Sequence, residues 1–94
     1  MEVYILLFRP GLPLDELMKV SNTRRELFKE VKGLVQKYYI SDTESDRVGG
    51  VYIFDSKESL DAFKNSELSK STADAYRFQD DPEIKIFSVS SLLR

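Results

Sequence analysis

The sequence predicts an α+β fold in which four strands and two helices follow one another in the order β-α-β-β-α-β. Three observations support this prediction. An apolar run stands near each end of the chain, two more such runs flank a central polar turn, and helical periodicity separates each outer run from this pair. The length of 94 residues suits a single domain, which we expect to cover residues 1–94.

The first third of the chain predicts one strand and one helix. The run Val3–Phe8 is apolar throughout and rich in β-forming residues, as expected of a buried strand. Pro13 suits the first position of a helix, and apolar residues recur at helical spacing from there to about Lys32. Thr23 and Glu26 fit a capping box, so an alternative is a short helix followed by a longer one.

The middle of the chain predicts a β-hairpin. Gly33 is expected as the residue that ends the first helix. Strands are predicted over Leu34–Asp42 and Val48–Phe54, because both runs are rich in β-branched and aromatic residues, and the polar run at 43–47 turns the chain between them. The Gly49–Gly50 pair lies inside a strand, which indicates a β-bulge or a close approach of another segment rather than a phosphate-binding loop.

The last part of the chain predicts a helix and a final strand. Asp55 or Ser56 is expected to cap the helix. Residues 65–81 are predicted to extend it and then form a loop, and the alternating pattern of Glu83–Ser91 predicts the last strand. The complete order is that of the ferredoxin-like fold, in which a four-stranded antiparallel sheet carries both helices on one face.

The sheet face that the helices leave open predicts a homodimer. Both alternating sets of side chains in Val3–Phe8 and Val51–Phe54 are apolar, although only one set can face the helices. A large exposed apolar face is unusual in a soluble monomer, so we expect two copies to pair through their sheet faces. The alternative is that Leu92 and Leu93 fold over this face.

The register of the hairpin predicts a binding site. If the turn is symmetric about residues 45–46, Tyr39 lies opposite Tyr52 and Lys37 lies opposite Phe54, and all four side chains share one sheet face. A lysine surrounded by aromatic rings can hold a phenolate or enolate in a partly dry pocket. We therefore predict that these four residues bind substrate on the helix-covered face. The alternative is that Lys37 extends to the sheet edge and the tyrosines belong to the core.

The composition limits the chemistry of this site. The chain contains neither cysteine nor histidine, which excludes disulfides, thiolate nucleophiles, and the usual transition-metal ligand and general base. We therefore expect no metal and no cofactor, and no catalytic base can be identified among the remaining residue types. The basic pair Arg24–Arg25 is expected on the surface of a helix.

The charge pattern argues against nucleic acid and membranes as partners. A formal net charge of −2 gives no basic footprint for nucleic acid, and no apolar run approaches the roughly 20 residues of a membrane span. The N-terminus lacks the basic segment of a signal peptide, so we expect a cytoplasmic location. Residues 47–54 partly match the third-strand motif of RNA-recognition modules, but Gly49 and Val51 replace its base-stacking aromatic residues.

The hairpin also carries a family resemblance. Residues 33–54 resemble the same stretch of the YdhR-like mono-oxygenases in the dimeric α+β-barrel superfamily, with anchors at Gly33, Lys37 and the block 49–54. The resemblance continues more weakly through the last strand. It implies a ferredoxin-like protomer whose sheets pair into a dimeric α+β barrel, and oxygenation of a small molecule without metal or flavin.

These observations predict a cofactor-independent mono-oxygenase that acts on a small aromatic or polyketide-like molecule. In this hypothesis Lys37 stabilises the substrate anion, Tyr39 and Tyr52 orient it, and oxygen reacts with the resulting carbanion. One alternative is a non-catalytic ligand-binding or subunit-interaction module with the same dimeric fold. RNA binding is a third and more distant alternative.

Overall fold

The computed structural model describes all 94 residues. Its strands are β1 (Glu2–Phe8), β2 (Leu34–Asp42), β3 (Arg47–Phe54) and β4 (Glu83–Ser88), and its helices are α1 (Leu14–Phe28), α2 (Lys57–Lys64), α3 (Glu67–Lys70) and α4 (Thr72–Tyr76). The strands form one antiparallel sheet in the order β2-β3-β1-β4. This confirms the predicted ferredoxin-like α+β fold. None of the helices has the length and hydropathy of a membrane span.

Helix α1 is continuous and shorter than predicted. The alternative of two helices, with a break before Thr23, does not occur, and the helix ends at Phe28 rather than near Lys32. The chain forms turns after the helix: the amide of Val31 donates to the carbonyl of Phe28, three residues back, instead of to a residue four positions back. Gly33 has a φ of 82°, but it turns the chain into β2 and does not cap α1 directly.

The remaining boundaries follow from local hydrogen bonds. Ser56, one of the two predicted caps, accepts a bond from the amide of Ser59 at the start of α2. The predicted helical extension consists of the two short helices α3 and α4. Strand β4 ends at Ser88 rather than Ser91, because Ser88 pairs with Glu2, the first residue of β1, and no partner strand extends further.

The register of the hairpin differs from the prediction by two residues. Lys37 pairs with Tyr52 rather than Phe54, and Tyr39 pairs with Gly50 rather than Tyr52. The turn is centred one residue earlier than predicted, since the last strand pair joins Asp42 to Arg47. Because side chains alternate with a period of two, this even shift leaves each one on its predicted face.

The turn geometry explains where the hairpin closes. The Asp42 carboxylate accepts bonds from the Glu44 amide and the Ser45 hydroxyl, which tie the turn to the end of β2. Asp46 adopts a left-handed conformation with a φ of 55°, which Asp tolerates better than most residues. The irregularity in the ladder lies between Leu34 and Gln36, not at the glycine pair.

The two faces of the sheet have different environments. The helix-covered face holds an aromatic core of nine buried residues: Tyr4, Leu6, Phe8, Phe28, Tyr52, Phe54, Leu60, Phe63 and Tyr76. The opposite face has no helix over it. We call it the open face; the strand registers place on it Val3, Ile5, Leu7, Tyr38, Ile40, Val51, Ile53 and Phe87. Leu92 and Leu93 are 65% and 90% exposed, so the chain's own C-terminal leucines do not cover it.

Candidate functional site

A cavity of about 150 Å³ lies on the helix-covered face, between α1, α4 and strands β1 to β3. A volume of this size accommodates one benzene-sized ring. Nine of its fourteen lining residues are hydrophobic. The side chains with polar groups are Ser21, Arg24, Lys37, Tyr39, Tyr52, Thr72 and Tyr76. No carboxylate lines the cavity, and no group of three or more carboxylates in the molecule is placed to hold a metal ion.

The Lys37 amine stands among three aromatic rings inside this cavity. Its Nζ lies 3.4 Å from the ring centroid of Phe28, 4.4 Å from that of Tyr39 and 4.6 Å from that of Tyr52. Burial lowers the pKa of Lys37 to about 7, with further contributions from the guanidinium charges of Arg24 and Arg25. The amine is therefore close to half protonated at neutral pH.

Gly50 supplies the space that the Lys37 side chain needs. A Cβ atom at Gly50 would stand 3.0 Å from Cε of Lys37 and 3.0 Å from a ring atom of Tyr52. The glycine thus lets the lysine stem lie flat on the sheet instead of turning away from it.

Arg24 contradicts the prediction that it lies on a helix surface. It is 8% exposed, and its Nη2 donates to the Leu68 carbonyl and to Oγ1 of Thr72, each at 2.8 Å. These bonds fix α1 to both α3 and α4. Arg24 forms no ion pair, and its Nε has no hydrogen-bond partner. It therefore adds an uncompensated positive charge to the cavity wall.

The sequence holds a signal for this burial. Position 24 lies seven residues after Leu17 and four before Phe28, which places it on the same apolar stripe of the helix. The adjacent Arg25 is exposed, as predicted, and its guanidinium lies 4.6 Å from the ring centroid of Tyr39.

Tyr39 and Tyr52 remain neutral hydrogen-bonding groups at physiological pH. Burial raises the pKa of Tyr52 well above its ordinary value, and it also raises the pKa of Tyr39. The Tyr76 hydroxyl lies 3.0 Å from Oγ of Ser21, a pair that sequence reasoning did not identify. With two basic groups, neutral phenols and no carboxylate, the cavity is suited to a ligand that carries or develops negative charge.

Three of the four predicted site residues meet at this cavity. Lys37, Tyr39 and Tyr52 line it, as expected from their shared face. Phe54 shares that face but is fully buried, with its ring centroid 5.4 Å from that of Phe63 under α2. Phe54 therefore supports the core beside the cavity instead of lining it, and ligand binding by the other three stays a prediction.

Fold and cavity together define the class of this protein: a ferredoxin-like α+β protein with a largely apolar cavity between its sheet and its helices. Residues 12–93 match the family model described as "Putative mono-oxygenase ydhR". The chain belongs to this family, which confirms the resemblance found in the hairpin. A comparison with curated proteins gave no match.

Solved structures with the same fold include several oxygenases. SnoaB from Streptomyces nogalater, a cofactor-independent oxygenase, has a TM-score of 0.75 at 14% identity, covering 98% of this chain and 95% of that one. A "putative antibiotic biosynthesis monooxygenase" from Deinococcus radiodurans has a TM-score of 0.78 at 9% identity, covering 100% and 97%. A dimeric ferredoxin-like protein of unknown function from Thermobifida fusca has a TM-score of 0.74 at 15% identity, covering 94% and 90%. At these identities the similarity establishes the fold.

Proposed function

We propose that this protein is a cofactor-independent mono-oxygenase that acts on a small aromatic or polyketide-like molecule. The observation that carries the proposal is the cavity itself, where two basic side chains and neutral tyrosines surround a space for one aromatic ring. Membership of the ydhR family supports it, as does a fold shared with a cofactor-independent oxygenase.

The residues of the cavity have distinct roles in this proposal. Lys37 stabilises the negative charge of a deprotonated ring system, which is the form that reacts with oxygen. Tyr39 and Tyr52 donate hydrogen bonds that orient the ring, and Phe28 packs against it. The substrate supplies all of the electrons for the reduction of oxygen, so its conjugated anion takes the place of a redox cofactor.

We also propose that the protein acts as a homodimer through its open face. Eight apolar or aromatic side chains lie there without a helix over them, and Tyr38 and Phe87 are more than half exposed. The similar protein from Thermobifida fusca is described as dimeric. Two-fold pairing of these faces would remove the apolar surface from water.

Oxygen consumption tests the proposed activity. Purified protein, treated with a chelator and free of added flavin, is supplied with aromatic ketones and phenols in an oxygen electrode. We expect uptake of oxygen, with one atom of oxygen-18 gas appearing in the organic product. Saturable binding of these compounds without any oxygen uptake would instead support the non-catalytic ligand-binding alternative.

Binding of an aromatic anion tests the role of Lys37 separately from catalysis. With salicylate as the probe, at about pH 6 where the amine is protonated, we expect Lys37→Met to weaken binding by roughly 1.5–3 kcal/mol. Lys19→Met removes an exposed lysine of α1 and serves as the control. Equal affinity of the two variants, measured by titration calorimetry, would show that Lys37 does not contact the anion.

A further inference from the structure

We propose that Lys37 is the general base of this site, and that it removes a proton from an activated carbon of the substrate. This inference rests on the proposed function, and it adds the one catalytic group that the sequence did not identify. It also narrows the substrate class to molecules with an acidic C–H group next to an aromatic ring or a carbonyl.

The geometry around the amine favours a base over a structural ion pair. Nζ of Lys37 faces three rings, with Phe28 at 3.4 Å, and it takes part in none of the four salt bridges of the molecule. A lysine that served only to hold the fold together would gain most from a carboxylate partner. This amine instead lies at the wall of a cavity sized for a ring, among aromatic side chains.

The charges around Lys37 favour its neutral form. Helix α1 presents Arg24 and Arg25 to it, while β2, β3 and α4 present the phenols of Tyr39, Tyr52 and Tyr76. No acidic residue lines the cavity. Desolvation and the two guanidinium charges lower the pKa of Lys37 to about 7, the range in which a general base works best.

No other side chain of the cavity can take this role near neutral pH. A guanidinium does not release its proton in proteins, so Arg24 cannot act as a base. Burial raises the pKa of Tyr39 and Tyr52, which makes their phenolates scarce. Ser21 shares its hydroxyl with Tyr76, and Thr72 accepts a bond from Arg24. Lys37 is thus the group in the cavity that can exchange a proton.

The complete reaction balances with dioxygen as the oxidant. Neutral Lys37 takes a proton from the CH₂ group, and the carbanion passes one electron to oxygen; the carbon radical and superoxide then combine in a C–O bond. The Lys37 ammonium returns its proton to the peroxide. Loss of the second C–H proton then forms the C=O bond and breaks the O–O bond, and the departing hydroxide takes up that proton as water. The sum is R₂CH₂ + O₂ → R₂C=O + H₂O, and the amine ends as it began.

Hydrogen–deuterium exchange without oxygen isolates the proton transfer. The probe is 2-indanone, whose CH₂ groups lie between an aromatic ring and a carbonyl, and its deuteration in heavy-water buffer is followed by NMR. We expect the wild-type protein to accelerate the exchange with a midpoint near pH 7. Lys37→Met and Lys37→Arg should both lose about 100-fold or more of this acceleration, because neither residue can accept the proton.

Two further variants complete the design. Lys19→Met, on the exposed side of α1, should exchange like the wild type. Arg25 packs on the ring of Tyr39 but does not itself line the cavity, so Arg25→Gln removes a like charge near Lys37 and should move the midpoint of the profile to higher pH. A general loss of folding would not produce such a shift.

Each outcome decides between the two proposals. If the wild type does not accelerate the exchange, Lys37 is not the base. If Lys37→Arg accelerates it as much as the wild type, a positive charge alone is sufficient, and the assignment of the base is again overturned. Exchange that depends on Lys37 but leads to no oxygen uptake in air would support the base and overturn the mono-oxygenase. Oxygen uptake that persists in Lys37→Met would support the mono-oxygenase and overturn the assignment of Lys37 as its base.

Discussion

At the scale of single residues, two adjacent glycines of β3 have different roles. A Cβ atom at Gly50 would meet the flexible end of Lys37 at 3.0 Å, whereas one at Gly49 would overlap the backbone oxygen of Leu6 in the neighbouring strand. A side chain can move aside, but a paired strand cannot. Gly50 therefore leaves room for the Lys37 side chain in the cavity, and Gly49 allows β1 and β3 to approach each other closely in the sheet.

This contrast predicts that neighbouring Gly→Ala substitutions have unlike effects. Gly50→Ala should destabilise the protein by about 1–2 kcal/mol, because the buried Tyr52 ring must shift slightly, while it displaces the Lys37 amine and weakens salicylate binding. Gly49→Ala should destabilise the protein by about 3 kcal/mol or more. Urea denaturation and calorimetry measure both effects. Similar stability of the two variants would contradict the close approach of β1 at Gly49.

The lowered pKa of Lys37 predicts a pH dependence of stability. The amine titrates near pH 7 when folded but near 10.5 when unfolded, so the unfolded chain binds the extra proton between these values. The free energy of unfolding should therefore rise with pH across this window, by at most about 1.4 kcal/mol per pH unit.

Comparison with a variant isolates this effect. The difference in unfolding free energy between the wild type and Lys37→Met should grow in favour of the wild type from about pH 7 to pH 9, below the range where tyrosines ionise. Urea titrations at several pH values give the measurement. A constant difference would mean that Lys37 keeps an ordinary affinity for protons in the folded protein.

The residues of the cavity could be predicted from sequence only in part. Alternation in the hairpin placed Lys37, Tyr39 and Tyr52 together, and an error of two residues in register did not matter, because faces repeat with that period. Arg24 was assigned to the surface because burial of an arginine is rare. Its partners, Leu68 and Thr72, lie in a segment whose sequence pattern is weak, so nothing indicated that they would cover it.

At the scale of elements, helix α2 begins with a cap that sequence and structure both identify. Ser56 accepts a bond from the Ser59 amide at 3.2 Å, which satisfies one of the free N–H groups of the first turn. We expect Ser56→Ala to cost about 1 kcal/mol, equivalent to a drop of roughly 4–8 °C in melting temperature for a domain of this size. Ser90→Ala, in the exposed C-terminal segment, is the control for differential scanning calorimetry.

The order of the elements could be predicted, but their ends depended on tertiary contacts. Strand β4 stops where its partner β1 begins, and no local signal in Ser88–Ser91 marks that point. In the same way α1 ends at Phe28, whose ring packs against Tyr52 and Phe63, and turn hydrogen bonds from Glu30 and Val31 replace the helical pattern there. Periodicity identifies the type of an element, whereas pairing and packing determine its length.

At the scale of the whole molecule, one sheet serves two purposes. Its helix-covered face holds the aromatic core and the cavity, and its open face carries Val3, Ile5 and Val51 on neighbouring strands, partly buried and with no helix packed over them. Because the two faces alternate along every strand, a substitution on one face need not disturb the other. Assembly and ligand binding can therefore be tested independently.

The dimer proposal predicts a particle of twice the chain mass of 10.9 kDa in light scattering at micromolar concentration. Full burial of one valine or isoleucine side chain contributes about 1.5–3 kcal/mol. The open-face residues are already partly buried, so each supplies a fraction of this value, and several together offset the cost of association. Val51→Lys would place an unpaired charge in the contact of both protomers, and we expect monomers. Lys37→Met, on the opposite face, should remain dimeric. A monomeric wild-type protein would contradict the dimer proposal and would favour the alternative in which the exposed sheet binds RNA.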